Sequence, residues 1–180
     1  MKNFKLTIFS LLITTTTAFA QIGNPDISDK WTISEYDKYE VKTEGDEKYT
    51  VKHHEITEEY TPVILDPKDK YKINQDIIYM PTHVSKTIEL DYDHDVMYDK
   101  KVTFNYKKPD ETDLNFTLSK SGIVIISKNK NLSVEKVWNK LDKTMYSNAL
   151  NERIKNEGTY VVALSNGEKI DITITNYDIF

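Results

Sequence analysis

The sequence predicts an α+β protein, in which an antiparallel sheet of hairpins carries one helical segment packed on it. Two patterns predict the strands: apolar and polar residues alternate in short runs from Trp31 onward, and turn residues separate these runs. One pattern predicts the helix, because apolar residues recur at helical spacing across 134–157. We therefore expect a single β-rich α+β domain over 21–180, with one helical segment.

Residues 1–20 predict a secretory signal peptide. Lys2 and Lys5 precede an apolar run at 6–13, and Ala18-Phe19-Ala20 has the small-x-small pattern of a cleavage site. The apolar run is shorter than the roughly 20 residues that a membrane-spanning helix needs. The sequence thus predicts a secreted or periplasmic protein with no transmembrane segment after signal removal, and its richness in Lys, Asn and Ile is typical of a bacterial protein.

The first half of the mature chain predicts two hairpins. Alternating runs at 39–43 and 49–53 flank Glu44-Gly45-Asp46, and a second pair occupies 84–92 and 97–107. Prolines 62 and 67 indicate that 60–76 is a connection or an edge, because proline cannot donate a hydrogen bond inside a sheet.

The apolar run 123–126 follows another alternating run, 114–118, after a turn at 120–122. Four consecutive apolar residues are typical of a strand that is covered on both faces. We therefore expect this strand to lie at the centre of its sheet.

The predicted helical segment starts after Ser133, which can cap a helix. One stripe of it is apolar; it consists of Val134, Val137, Trp138, Leu141 and Met145. Leu150 and Ile154 fall off that stripe at about 100° per residue, which predicts a kink or break near 146–148. The stripe is expected to close over the sheet as a lid.

A last hairpin is predicted around Asn166-Gly167, the dipeptide best suited to a two-residue type I′ turn. That turn would place Ala163 opposite Ile170 and Val161 opposite Ile172.

Composition excludes several classes of function. The chain has no cysteine, which excludes disulfides, thiol catalysis and cysteine metal sites. The net charge is −5 with acids and bases interspersed, so the basic surface that nucleic-acid binding needs is missing. Only five glycines are present, Gly122, Gly158 and Gly167 are each explained by a turn or a cap in the predicted elements, and no cofactor motif is found. We predict no cofactor.

The densest acidic cluster is Asp91, Asp93 and Asp95, with Asp99 beyond it, in a predicted hairpin loop. Alternation places the first three carboxylates on one side of an extended chain, and calcium prefers such oxygen ligands. The spacing of an EF-hand loop is absent, and the alternative is a solvated acidic turn that discourages aggregation.

His53-His54-Glu55 could suggest zinc, but neighbouring strand residues point to opposite faces, so the two histidines are not expected to share an ion.

Export, the lack of chemical motifs and twelve tyrosines favour a non-enzymatic module that binds a protein, peptide or glycan. The tyrosines have a second explanation, since tyrosine is a good strand residue. The alternative function is a hydrolase with a carboxylate or histidine site, which would need a pocket that gathers Asp or Glu with His.

Overall fold

The computed structural model describes residues 29–44, 47–73, 75–93, 95–119, 121–149 and 151–180. The predicted signal peptide and the turn residues Gly45 and Asp46 lie outside the described residues. Over these ranges the chain forms strands β1 (Lys30–Glu44), β2 (Glu47–Thr61), β3 (Val63–Leu65), β4 (Ile77–Tyr79), β5 (His83–Asp91), β6 (Lys100–Lys107), β7 (Leu114–Ser119), β8 (Gly122–Ser127), β9 (Val134–Asn139), β10 (Met145–Tyr146), β11 (Gly158–Leu164) and β12 (Lys169–Ile179), with a 3-10 turn at Pro67–Asp69.

Eight of these strands form one antiparallel sheet in the order β1-β2-β5-β6-β12-β11-β9-β10. Two further pairs, β3 with β4 and β7 with β8, stand outside it. The predicted hairpins β1–β2, β5–β6 and β11–β12 are all present, and the first is much longer than its alternating pattern indicated. The fold is thus a large sheet with a second, small β layer.

The core lies between the inner face of the large sheet and the hairpin β7–β8. Phe116 of β7 packs on the sheet, with ring centroids 4.1 Å from Phe104 and 5.4 Å from Tyr106. Alternate residues of the central strands are buried beneath it, as the pleat requires. They include Val84, Ile88, Leu90, Val102, Phe104, Tyr106, Tyr160, Val162, Leu164, Ile170, Ile172 and Ile174.

The predicted α+β class is wrong, because the segment 134–157 is not helical. It forms β9, a turn and β10, and no α-helix occurs in the described ranges. Leu141 of the predicted stripe is 92% exposed at the tip of the β9–β10 turn, and Met145 is also exposed. The lid over the sheet is the hairpin β7–β8 instead.

A β-bulge explains why the pattern resembled a helix. Val137 lies opposite Val162 and Val134 lies opposite Leu164, so that Glu135 is left without a partner between them. The extra residue puts two valines three positions apart on the same face, which is the spacing of a helix. The chain then turns at Asn139, whose side-chain oxygen accepts hydrogen bonds from the backbone N–H groups of Leu141 and Asp142.

The predicted second half of the helix is an irregular strap, residues 147–149 and 151–157, whose bends and turns run beside β8. Ile154 forms a β-bridge with Ile123, and the Asn148 amide exchanges hydrogen bonds with the backbone of Ile125 at 3.2 Å. The strap runs so close to Gly122 that a Cβ there would lie 2.5 Å from the carbonyl oxygen of Ile154. Only glycine fits at this crossing, and its φ of +119° also requires glycine.

The strand β8 is not central, which corrects a second prediction. It pairs with β7 in a two-stranded sheet, and Ile126 is 44% exposed. Ile123 and Ile125 belong to the core, whereas Val124 is half-buried and Ile126 is exposed on the other face. The strap lies beside β8 and not over it, so only one face of the strand is fully covered.

The register of β11–β12 is one residue off the predicted one. Val162 lies opposite Ile170 and Tyr160 opposite Ile172, because Leu164 N–H donates to Glu168 O and leaves a three-residue loop. Gly167 takes a φ of +88° at its end, the position of the glycine in a three-residue hairpin loop with a bulge. The one-residue shift moves Ala163 and Val161 to the outer face.

Asp113 fastens the lid to the sheet. Its carboxylate accepts hydrogen bonds from the Tyr106 hydroxyl, the Leu114 N–H and the Lys128 ammonium at 2.7–2.8 Å. Burial raises the pKa of Asp113, but Lys128 and Tyr106 more than offset burial, so the pKa lies below its usual 3.8. The carboxylate therefore stabilises the fold in its charged form.

We expect the substitution Asp113→Asn to lower the free energy of unfolding by roughly 1 kcal/mol at pH 7. A lowered folded-state pKa contributes stability that is complete above the unfolded-state value and is lost as the pH falls through the folded-state value. Urea denaturation should thus show the difference between wild type and variant shrinking below about pH 4. An equal difference at pH 3 and pH 7 would contradict the charged role.

Candidate binding groove

Three aromatic rings form a row across the outer face of the sheet. Trp31 of β1 lies opposite Tyr60 of β2, and Tyr60 lies opposite His83 of β5. Directly opposed residues of antiparallel strands share a face. The centroids are 5.6 Å apart for Trp31 and Tyr60 and 6.4 Å for Tyr60 and His83. Trp31 is 60% exposed, so its ring faces solvent.

A polar row runs beside the aromatic row, two residues along each strand. Glu58 lies opposite Ser85, Ser85 opposite Asn105, and Asn105 opposite Thr173 of β12. These side chains offer a carboxylate, an amide and two hydroxyls on one face. The floor of the groove is therefore half aromatic and half hydrogen-bonding.

Asp29 holds the central ring in place. Its carboxylate accepts a hydrogen bond from the Tyr60 hydroxyl at 2.6 Å and another from the Val63 N–H at 2.9 Å. The bond from Tyr60, and to a lesser extent the bond from Val63, holds the pKa of Asp29 below its usual range. The Tyr60–Asp29 bond also raises the pKa of Tyr60. The Tyr60 ring is thus oriented before any ligand arrives.

Two proline-containing loops build the wall of the groove, one before β5 and one after β6. The Lys108 N–H donates to the carbonyl oxygen of Thr82, and the Thr82 hydroxyl bonds Thr61 at 2.7 Å. Lys108 also pairs with Glu59 at 2.8 Å. These bonds tie the two loops to each other and to the sheet, so the wall is preformed.

The groove has a volume of about 730 Å³, and a second recess of about 530 Å³ shares part of its wall. The charges around it nearly cancel. Its acidic lining residues are Glu58, Asp110, Glu168 and Asp171, and its basic ones are Lys107, Lys108 and Lys169. The electrostatics thus favour no strongly charged ligand.

The predicted cation cluster is only partly assembled. The carboxylates of Asp91, Asp93 and Asp99 each offer an oxygen within 4.8 Å of the others, whereas Asp95 is not in this group. The Asp95 carboxylate instead accepts a hydrogen bond from the Met97 N–H at 2.6 Å. A calcium site at Asp91, Asp93 and Asp95 stays a prediction, and the structure brings Asp99, not Asp95, close to the first two carboxylates.

If calcium binds this cluster, millimolar Ca²⁺ should raise the unfolding temperature by a few degrees, because a ligand that binds only the folded state stabilises it. Asp93→Asn should abolish the rise, while Asp95→Asn should keep it. Thermal unfolding with and without chelator measures both. If Ca²⁺ does not raise the unfolding temperature of the wild type, the calcium prediction is wrong and the cluster is a solvated acidic turn.

The paired histidines lie on opposite faces, as predicted. His54 is opposite Glu89 on the outer face, and its Nδ1 lies 2.8 Å from Asp37. His53 is opposite Leu90 on the inner face, and its Nε2 is 3.7 Å from Glu40. They do not converge on one point, and among the described residues the single cluster with metal-ligand geometry is the acidic one.

The sequence matches no protein-family model, and no curated protein or solved structure matches it. In the part of the chain that the structure describes, no helix has the length and apolar character to cross a membrane.

Sequence reasoning missed the three aromatic residues of the groove. Trp31, Tyr60 and His83 stand at or next to strand ends, where no alternating pattern singles them out. One signal was present: counting outward from Gly45-Asp46 as a two-residue turn pairs Trp31 with Tyr60, as observed.

Proposed function

We propose that this chain is an exported binding module whose outer-face groove takes a neutral glycan. The observation that carries the proposal is the aromatic row of Trp31, Tyr60 and His83 beside the polar row of Glu58, Ser85 and Asn105. A sugar ring has an apolar C–H face and a rim of hydroxyls. The aromatic row can contact the apolar face of a sugar ring, and the polar row can hydrogen-bond to its hydroxyls.

Three properties favour a glycan over a peptide or a charged ligand. The lining charges nearly cancel, which suits a neutral molecule. The ring of Tyr60 is fixed by Asp29, so less ordering entropy is lost on binding. The groove is open and continues past Pro81 and Pro109 into the second recess, which suits a chain of several sugar rings.

The test is titration calorimetry with a panel of neutral tetrasaccharides of different linkages. We expect one of them to bind, and we expect Trp31→Ala to weaken its binding about tenfold or more, as removal of a central aromatic anchor does. Tyr71→Ala is the matched control, because Tyr71 is an exposed aromatic residue outside the groove. Equal affinities of both variants would refute the proposed site.

The alternative, a hydrolase, draws on the same groove, which gathers His83 with Glu58, Asp110 and Asp171. Among the described residues, however, His83 has no carboxylate within ion-pairing distance, and its ring packs on Tyr60. A non-enzymatic module is therefore favoured. Chromatography of the bound oligosaccharide after long incubation separates the two, since a hydrolase would release shorter products that a Glu58→Gln variant does not.

Export to the periplasm or the exterior belongs to the same proposal. It draws support from the predicted signal peptide at 1–20 and from the absence of cysteine. Amino-terminal sequencing of the protein from its native host would show cleavage after Ala20.

A further inference from the structure

Strand β1 is an unusual edge of the large sheet. It pairs with β2 on one side in an unbroken register from Lys30 to Glu44, and no further strand of the described ranges pairs with its other side. Natural edges are blunted by short length, charged side chains, proline or a bulge, and of these β1 has only charged side chains. The opposite edge, β10, is only Met145–Tyr146, whereas β1 has no proline, no glycine and no bulge.

The outer face of β1 is also apolar at intervals. Trp31, Ile33, Tyr39 and Val41 are each at least half exposed on it. A long, regular edge with exposed apolar side chains is a template for another strand. A strand that pairs with β1 must bring complementary charges, because β1 carries both acidic and basic residues.

We propose that a second copy of this chain pairs with β1 edge to edge, in an antiparallel register centred on Tyr39. A two-fold axis through Tyr39 places residues 34–44 of the two copies opposite each other. Lys38 of each copy then faces Glu40 of the other, which gives two attractive pairs. Tyr39 meets its own counterpart on the outer face.

Charge excludes the neighbouring registers from Glu35 to Lys38 and the one at Glu40. Moving the two-fold axis to Asp37 or to Lys38 sets that residue against its own copy, and moving it to Glu35 does the same. An axis at Tyr36 opposes Glu35 to Asp37, and one at Glu40 opposes that residue to itself. Like charges directly opposite each other destabilise a strand pair. The register centred on Tyr39 opposes no like charges. An axis at Val41 opposes none either, but it pairs only residues 38–44 of β1, so the longer pairing favours the axis at Tyr39.

The proposed pairing leaves the glycan groove open. Trp31 lies outside the paired range 34–44, so the aromatic row of each copy stays accessible. The dimer would carry two grooves on one continuous sheet, and this inference stands whether or not the groove binds a glycan.

Sedimentation equilibrium of the mature chain tests the pairing. We expect a dimer for the wild type. Lys38→Glu and Glu40→Lys should each weaken self-association about tenfold or more, because each sets like charges opposite each other twice. An equal mixture of the two variants should dimerise again, since every facing pair becomes Glu with Lys.

The equal mixture of the two variants distinguishes the loss of pairing between copies from the loss of contacts within one chain. Lys38 and Glu40 also form an ion pair within one chain, and that pair stays broken in both variants of the mixture. A monomeric wild type, or a mixture that stays monomeric after both variants have folded, would overturn the proposal. The occupant of the β1 edge would then be a partner other than a second copy of this chain.

A cysteine introduced at Tyr39 gives a second measurement, made simple because the chain has no cysteine of its own. Tyr39→Cys should form a disulfide-linked dimer on mild oxidation, because facing residues of antiparallel strands lie about 4.5–5.5 Å apart at Cα. Ile33→Cys, exposed on the same face of the same strand, should not. Equal cross-linking of the two variants would contradict the register.

Discussion

Replacing Phe116 by alanine is expected to remove about 3–5 kcal/mol from the free energy of unfolding. The ring is buried between the lid and the sheet, 4.1 Å from the Phe104 ring and 5.4 Å from the Tyr106 ring. The hairpin β7–β8 covers the sheet largely through this contact and its apolar neighbours. A cavity beneath Phe116 would thus loosen both layers, and urea denaturation measures the loss.

Two variants on the same strand serve as controls. Phe116→Leu refills most of the volume and should cost less than half as much. Thr117→Ala changes the exposed side of β7 and should stay within about 0.5 kcal/mol of wild type. A loss below about 1 kcal/mol for Phe116→Ala would show that β7–β8 does not cover the core.

The substitution Glu55→Gln is expected to cost about 3 kcal/mol, the second large effect. The Glu55 carboxylate lies 2.5 Å from the Lys86 ammonium, and the Lys86 side chain is only 4% exposed. Lys86 stands on the inner face opposite Phe104, among core residues. Without the carboxylate, the buried ammonium would lose its counter-charge.

Replacing the other partner, Lys86, should lower the free energy of unfolding much less. Lys86→Met keeps the apolar stem and removes the buried charge, leaving Glu55, which is partly exposed and can be hydrated. We expect it to cost under about 1 kcal/mol, and the double variant should resemble Lys86→Met. Urea denaturation of all three variants gives the coupling. Equal losses for both single variants would contradict this asymmetry.

Local patterns predicted the hairpins well. Alternation and turn residues identify β1–β2, β5–β6, β7–β8 and β11–β12, because these pairs are neighbours in sequence. The single-residue error in β11–β12 arose at Gly167, where a three-residue loop replaced the expected two-residue turn. Loop length sets register, and Asn-Gly alone does not distinguish the two loops.

The predicted helix failed for a reason outside its own sequence. The spacing of Val134 and Val137 fits a helix, and it also fits a strand with a bulge at Glu135. Pairing with β11 decided between them, and that contact joins distant parts of the chain. The polar residues Asn139 and Asp142, which favour turns, were the local signal against a helix.

The candidate groove was the hardest feature to predict. Its rings come from three strands, and the placement of His83 depends on the pairing of β2 with β5, which no hairpin turn sets. The acidic loop was easier, because Asp91, Asp93 and Asp99 are close in sequence. Alternation predicted Asp95 as the third ligand, whereas the structure groups Asp99 with Asp91 and Asp93, and the cation site itself stays a prediction.

The central claim is that ligand binds on the aromatic row that begins at Trp31, and tryptophan fluorescence tests it directly. The chain has two tryptophans, and Trp138 lies on β9 near the opposite edge of the sheet. In a Trp138→Phe variant, a bound neutral tetrasaccharide should shift the Trp31 emission to shorter wavelength and saturate. In a Trp31→Phe variant, the emission of Trp138 should stay constant. A shift confined to Trp138, or no shift from either residue on binding, would contradict the account.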